Sequence, residues 1–158
     1  MQKWLRLIFE MVNKMLNIRA HHLLCIPRYY SKGYNKEFAK QHKKICMSIR
    51  ENPEQKVKVI IGMDNLCEKC PNRKGNICMY RNDPDSNAEV IEHDKNVLRK
   101  LKINENSVHT AKCIFNLSMN KIPSVKEICK ECYTYYKSCT SGNNGTGINN
   151  SFRNDLNK

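Results

Sequence analysis

Two cysteine triplets with nearly the same spacing are the residues of this chain whose chemistry is most readily inferred. Each has two cysteines three positions apart and a third cysteine further on. They are Cys67, Cys70 and Cys78, and then Cys129, Cys132 and Cys139. A C-x2-C pair directs two thiolates at one small volume, and a later cysteine can close on the same point, as in zinc and iron–sulfur sites. The sequence therefore predicts a metal or cluster centre.

Each triplet needs a fourth ligand, and the chain offers several. Upstream of the first triplet, Cys25 follows the adjacent His21 and His22, and any of these three can complete the site. For the second triplet the candidates are Cys113 and His109, or the two triplets share one site. Zinc accepts both thiolate and imidazole, whereas clusters are held mainly by thiolates. The ligand set stays open at this point.

The spacing favours iron–sulfur over zinc. Structural zinc sites often combine two C-x2-C pairs in a closed tetrahedron. Three successive cysteines with a distant fourth are more typical of cluster ligation, and Cys70-Pro71 matches the Cys-Pro ending of bacterial ferredoxin motifs. We therefore predict an iron–sulfur cluster of the 4Fe–4S type, with zinc as the alternative cofactor. A cluster also implies a redox partner protein, whose identity the sequence leaves open.

Length and cysteine usage limit the class of protein. A chain of 158 residues is typical of one domain and buries enough surface to fold without crosslinks. The nine cysteines are an odd number, and Arg6 and Glu10 interrupt the apolar start, so a secreted disulfide framework with a signal peptide is not expected. No window has the ~18 consecutive apolar residues of a membrane span. We expect a reduced, cytoplasmic protein whose thiols bind metal.

The chain is strongly basic, with a formal net charge of +13 and a pI near 9.4. Such a charge favours acidic partners, either nucleic acid or an anionic membrane surface. The lysines are nevertheless spread along the chain, and Lys, Asn and Ile are abundant throughout. Composition therefore accounts for much of the charge, and nucleic-acid binding is retained as an alternative.

Hydrophobic periodicity predicts three main helices and one strand. Asn35 is placed to cap a helix that ends before Pro53, and further helices are predicted over 88–101 and 111–118. Alternation over 57–61 predicts a short strand. The first helix has an apolar stripe that comprises Phe38, His42, Ile45 and Ile49. Since Cys46 adjoins this stripe, we interpret it as a core residue rather than a ligand.

The remaining segments complete the predicted organisation. Ser124 and Glu127 form a capping box, so the second C-x2-C pair lies on or just after a helix. Residues 1–14 are predicted to be an N-terminal extension, in which an amphipathic helix is an option. Residues 140–158 have little to bury and are predicted to be a disordered tail. The expected fold is α+β and mostly helical, a small cysteine-rich domain over 15–139 with a short strand and metal-binding loops.

Asp94 is conspicuous in the helix predicted over 88–101. It lies in the apolar stripe, four residues after Val90 and four before Leu98. A buried carboxylate there must be paired, hydrogen-bonded or functional, because an isolated buried charge is strongly unfavourable. The alternative is a half-exposed carboxylate at the edge of the stripe.

Several segments resemble a small prokaryotic family. They are the Arg-x-His-His-Leu-Leu-Cys run over 19–25, Lys32-Gly33-Tyr34, Glu37-Phe38, Asp64 with Cys67-x2-Cys70-Pro71, Asp94, and Cys129-x2-Cys132 with Cys139. Together they resemble the domain-of-unknown-function family numbered 1284, over roughly residues 15–139. The resemblance implies iron–sulfur binding and makes Cys25 part of a motif with the two histidines. It excludes residues 1–14, which favours Met15 as the natural start, and it leaves Cys113 outside the pattern.

Three functional hypotheses follow. In the first, the protein binds an iron–sulfur cluster and serves in redox chemistry or electron transfer. One cluster is held by Cys25, Cys67, Cys70 and Cys78. Cys129, Cys132 and Cys139 hold a second site or cover the first, while His21, His22 and Asp94 support the ligands.

The other two hypotheses belong to different classes. One is a zinc-stabilised binding module that uses its basic surface on nucleic acid. The other is a cluster-dependent enzyme in which Arg19, His21, His22 and Asp94 form a polar pocket beside an open iron. No nucleophile–base pair or phosphate loop is readable, so the sequence leaves the question of catalysis open.

Overall fold

Five short strands, six α-helices and three 3-10 turns lie in the described part of the chain beyond residue 14. The computed structural model describes residues 5–6, 10, 14–28, 34–129 and 150–158. The strands are β1 (Leu16–Arg19), β2 (Lys56–Ile60), β3 (Arg73–Lys74), β4 (Ile77–Cys78) and β5 (Val108–Thr110). The helices are α1 (His22–Cys25), α2 (Lys36–Glu51), α3 (Ser86–Leu101), α4 (Ala111–Lys121), α5 (Lys126–Cys129) and α6 (Asn150–Leu156). The predicted α+β class, mostly helical, is confirmed.

Strands β1, β2 and β5 form a three-stranded sheet. β2 is its central strand, parallel to β1 and antiparallel to β5. Val57 and Val59 are fully buried, whereas Lys56 is exposed, which is the alternation that predicted this strand. β1 and β5 were not predicted, because strands of four and three residues are too short to show a clear alternation.

Helices α2 and α4 each begin directly after an N-cap residue. The Asn35 side chain accepts a hydrogen bond from the Phe38 backbone N–H at 2.8 Å, so the predicted N-cap is confirmed. Likewise, Thr110 caps α4 by accepting from the Cys113 N–H at 3.2 Å. The predicted stripe of α2 is buried at all four positions. Helix α2 therefore packs its apolar face inward as its spacing requires.

The described core is continuous from the sheet to the helices. Its fully buried members include Ile18, Leu23, Ile49, Val57, Val59, Val97, Ala111, Ile114 and Phe115. The segment from β1 through α1 contributes Leu23 and Leu24 to it, so the histidines beside them are anchored on packed backbone. No helix in the described residues has the length and apolar character that crossing a bilayer requires.

The C-terminal residues differ from their prediction. Residues 150–158 include helix α6, so the predicted disorder is wrong for them; residues 140–149 lie outside the described part. Phe152 and Leu156 are buried, and the Phe152 ring packs edge-on against Phe115 at 5.5 Å. Two apolar residues four apart bury one helix face, which the polar composition of the segment conceals. An Arg50–Asp155 ion pair also joins α6 to α2.

Little of the predicted N-terminal extension is described. Leu5, Arg6 and Glu10 are helical and exposed, and the Arg6 Nε lies 3.1 Å from a Glu10 carboxylate oxygen. An amphipathic helix over 1–14 otherwise stays a prediction, because most of these residues lie outside the described part.

Candidate metal centre

A tight turn presents the first two cysteines of the first triplet. Residues Cys67–Lys69 form a 3-10 turn, and the Cys70 N–H donates to the Cys67 carbonyl at 3.0 Å. The buried carboxylate of Asp64 accepts from the Cys67 N–H at 2.9 Å. Asp64 therefore stabilises the start of the turn by accepting a backbone N–H three residues later, as an N-cap residue does in a helix.

The third cysteine of this triplet lies on a two-stranded hairpin. Strands β3 and β4 pair so that Cys78 is opposite Arg73. Gly75 adopts a φ of +59° in the connecting turn, a conformation that favours glycine. The Cys78 N–H donates to the Asn87 side chain on α3 at 2.9 Å. The hairpin is thus tied to α3, and Cys78 is positioned relative to that helix.

These thiols face one cavity of about 770 Å³. The cysteines that line it are Cys67, Cys70, Cys78 and Cys129. Three histidines, His21, His22 and His93, line it as well, and Tyr34, Phe38, Val90 and Ile128 supply apolar wall. The cavity therefore combines soft metal-binding groups with apolar surface, which is typical of a ligand site.

Cys129, from the second triplet, lines the same cavity as the three cysteines of the first triplet. It is buried at the end of α5, and its Sγ lies 3.9 Å from the His93 Nε2. Cys132 and Cys139 lie outside the described residues. The alternative in which the triplets share one site thus gains a structural basis, whereas a separate second site stays a prediction.

The other cysteines lie elsewhere. Cys25 is half-buried at the end of α1 and is not among the described residues that line the cavity. Cys113 is exposed on α4. The Cys46 thiol lies 3.8 Å from the His42 ring nitrogens, and burial raises its pKa to about 12. Cys46 is thus an inert thiol beside the core.

Asp94 is fully buried rather than half-exposed. Its carboxylate accepts from Arg19 Nη2 at 2.7 Å and from Nε at 3.0 Å. It also accepts from the backbone N–H of His21 at 3.1 Å and pairs with His21 Nδ1 at 2.7 Å. Burial opposes the charge, but the bonds from His21 and Arg19 hold the pKa of Asp94 well below its usual range. Of the four residues from which a polar pocket was predicted, Arg19, His21 and Asp94 therefore form one paired network, whereas His22 binds Asp64.

Asp64 holds His22 in the same manner. Its Oδ2 accepts from the Arg19 backbone N–H at 2.8 Å and pairs with His22 Nδ1 at 2.7 Å. Burial opposes ionisation, but the His22 charge and these hydrogen bonds lower the pKa of Asp64 to about 2. Consecutive histidines are thus each held through Nδ1 by a different buried carboxylate.

Burial sets the protonation of the cavity groups. It lowers the pKa of His21 to about 3, with help from His22, so the neutral imidazole donates from Nδ1 to Asp94. It also lowers the pKa of His93. Burial, and then the charge of Asp64, raises the pKa of Cys67 above its ordinary value, and burial raises that of Cys70. In the absence of a cation these thiols are therefore protonated at neutral pH.

One compact group of three ligand atoms occurs among the residues that the structure describes. It comprises His22, Asp64 and Cys67, whose ligand atoms lie within 4.8 Å of one another. Sequence reasoning missed His93 and the structural role of Asp64. The Asp64-x2-Cys67 spacing was a usable signal for a carboxylate that holds the turn, whereas nothing in the helical pattern of α3 marks His93 as facing the cavity.

Comparison with known proteins gives a family but no activity. No curated protein and no solved structure matches the chain. Residues 33–139 match the family model described as "Protein of unknown function (DUF1284)". The match begins after the histidine segment 19–25, which our resemblance had included, and it contains both cysteine triplets. Since it spans more than half of the chain, the protein belongs to the DUF1284 family.

Proposed function

We propose that this protein binds a 4Fe–4S cluster in the cavity through Cys67, Cys70, Cys78 and Cys129. The observation that carries the proposal is that these thiols come from three separate segments and line one cavity. Four thiolates are the usual ligand set of such clusters. Cys129 takes the place given to Cys25 in the sequence analysis, since Cys25 is not among the described lining residues.

The cavity thiols are too far apart in this structure to hold a single zinc ion without movement. Zinc–sulfur bonds of about 2.3 Å in a tetrahedron put the sulfurs within about 4 Å of one another. Among the described residues, no three of the cavity cysteines lie within 4.8 Å of one another. A four-iron cluster takes each cysteine on a different iron, so its ligands are further apart. A cavity of about 770 Å³ also exceeds the needs of one bare ion.

The surroundings of the thiols suit a redox role. The Arg19 Nη1 lies 4.0 Å from the Cys67 Sγ, and a nearby cation favours the more negatively charged, reduced form of a centre. Cys70 and Cys78 are half-buried, so this end of the cavity is close to the surface. A cluster held there would exchange electrons with a redox partner protein. Nucleic-acid binding stays a prediction from composition alone.

Anaerobic purification with iron and acid-labile sulfide assays tests the proposal. We expect both elements in stoichiometric amounts, with the visible absorption of a cluster. The informative variants are Cys129→Ser, which should lose the cluster, and Cys25→Ser, which should keep it. Cys113→Ser is the matched control, because Cys113 is exposed and distant in sequence from every proposed ligand.

The outcomes separate the alternatives. Stoichiometric zinc without sulfide would reject the cluster. A cluster that survives Cys129→Ser but is lost in Cys25→Ser would keep the function and restore the ligand set predicted from the sequence.

A zinc site is the second candidate, since the compact group of His22, Asp64 and Cys67 offers one ligand of each type that zinc accepts. It predicts one zinc per chain, lost in His22→Ala and retained in Cys129→Ser. Zinc that is insensitive to His22→Ala would exclude this candidate.

A further inference from the structure

The three cavity histidines form a cluster of their own. The His21 ring centre lies 4.5 Å from that of His22 and 5.0 Å from that of His93. With metal–nitrogen bonds of about 2.1 Å, two imidazoles on one ion have ring centres about 5 Å apart. The observed separations therefore match those of imidazoles that share a metal.

Two of these rings already have the arrangement of metal ligands. His21 and His22 use Nδ1 to bind Asp94 and Asp64, both at 2.7 Å. The carboxylates have no exposed side-chain surface, whereas the His21 and His22 side chains retain 15% and 13%. Since Nδ1 of each ring is occupied, the Nε2 atoms of His21 and His22 are the ring nitrogens that remain for an ion in the cavity. Neither Nε2 has a hydrogen-bond partner among the described residues. A carboxylate behind the imidazole is the usual support of a histidine that binds metal.

The carboxylates themselves are poorly suited to bind an ion. Asp64 accepts the backbone N–H groups of Arg19 and Cys67 as well as the His22 ring. Withdrawing it toward a metal would leave buried donors unsatisfied, which is unfavourable. Asp94 is committed to Arg19 and His21 in the same manner. In a site formed by the histidines both therefore serve as supports, whereas the alternative group of His22, Asp64 and Cys67 requires Asp64 to give up these hydrogen bonds.

We propose that His21, His22 and His93 bind a divalent first-row transition-metal ion through their Nε2 atoms, at a site that adjoins the thiolates, since the His93 Nε2 lies 3.9 Å from the Cys129 Sγ. Imidazole suits zinc, iron and nickel alike. The three rings do not yet form a group within 4.8 Å, so ion binding draws the half-buried His93 inward from α3. The ion would lie in the same cavity as the proposed cluster, although the site requires no cluster to form.

Zinc titration of a Cys70→Ser/Cys78→Ser variant by calorimetry tests this site, because that variant lacks two of the proposed cluster ligands. We expect one zinc per chain. Adding His93→Ala should weaken binding on the order of 100-fold, since even the loss of a supporting carboxylate costs 10–100-fold. His21→Ala should do the same. His109→Ala is the matched control, because His109 bonds Ser107 and is not among the lining residues.

Each outcome decides the proposal. Zinc affinity that is unchanged by His93→Ala would overturn it and favour the His22, Asp64 and Cys67 group. Absence of zinc binding in the double-serine variant would also overturn it. If that variant does not fold, zinc is titrated into the unaltered protein and into His21→Ala. Loss of one zinc per chain in His21→Ala supports the site, and an unchanged number of zinc ions refutes it. A sulfide-free protein would refute the cluster alone.

Discussion

Replacing Asp94 with asparagine tests the network that supports the cavity. The two side chains have nearly the same shape, so the variant removes a charge without leaving a cavity. Asp94 is fully buried, and its principal partner, Arg19, is 1% exposed. The neutral amide cannot balance that guanidinium, and its NH₂ group faces donors where the carboxylate had acceptors.

The expected loss is large. Removing one partner of a buried ion pair costs about 3–5 kcal/mol, because the remaining charge is left without compensation. The hydrogen bonds to the His21 backbone and ring weaken as well. With a urea m-value of about 2 kcal/mol/M for a small protein, the unfolding midpoint should fall by about 1.5–2.5 M.

Urea unfolding followed by circular dichroism measures the effect. Glu92→Gln is the matched control on the same helix, since Glu92 pairs with Arg99 at the surface and such pairs contribute little. Its midpoint should stay close to that of the unaltered protein. A companion variant, Arg19→Met/Asp94→Leu, should be more stable than Asp94→Asn, because it removes both charges and keeps the volume apolar.

Either of two results would contradict a stabilising role for the buried Arg19–Asp94 pair. If Asp94→Asn shifts the midpoint no more than Glu92→Gln does, the buried pair is not a major source of stability. If the double variant is as unstable as Asp94→Asn, the loss does not come from an unpaired charge.

Three further predictions concern stability. Burial lowers the His42 pKa from 6.5 to about 4, so the unfolded state binds more protons between these values and His42 should contribute about 1 kcal/mol to the loss of stability from pH 7.5 to 5.5. His21 and His93, whose pKa values are lowered as well, add to this loss. The fall in the free energy of unfolding, measured in urea at the two pH values, should therefore be about 1 kcal/mol smaller in His42→Leu, and an equal fall in both proteins would refute the role of His42. Asn35→Ala removes the N-cap of α2 and should lower the free energy of unfolding by about 1 kcal/mol. Its thermal unfolding midpoint should therefore be lower than that of the control Lys40→Ala, which alters an exposed site. Equal midpoints would contradict the capping role. Phe152→Ala should lower the free energy of unfolding, measured in urea, by about 3–5 kcal/mol. The control Asn154→Ala should leave it nearly unchanged. A negligible effect of Phe152→Ala would show that α6 does not stabilise the core.

Local signals predicted the main helices well because their causes are local. The cap at Asn35, the stripe of α2 and the alternation of β2 depend on residues a few positions apart. The strands β1 and β5 were missed because they exist only by pairing with β2. Helix α6 was missed because its stability comes from Phe115 and other distant side chains rather than from its own polar sequence.

The sequence by itself determined the donor chemistry of this protein. The cysteine spacing, the paired histidines and the carboxylate in an apolar stripe are all visible without coordinates. Only the tertiary structure decided how they combine. It brings Cys129 to the first triplet and separates Cys25 from the cavity lining. It also gives each of His21 and His22 its own buried carboxylate. The reason is that ligand spacing within a turn follows from short-range backbone geometry. The contacts of His21 and His22 with their carboxylates instead join residues 73 and 42 positions apart, whose proximity depends on the packing of the whole core.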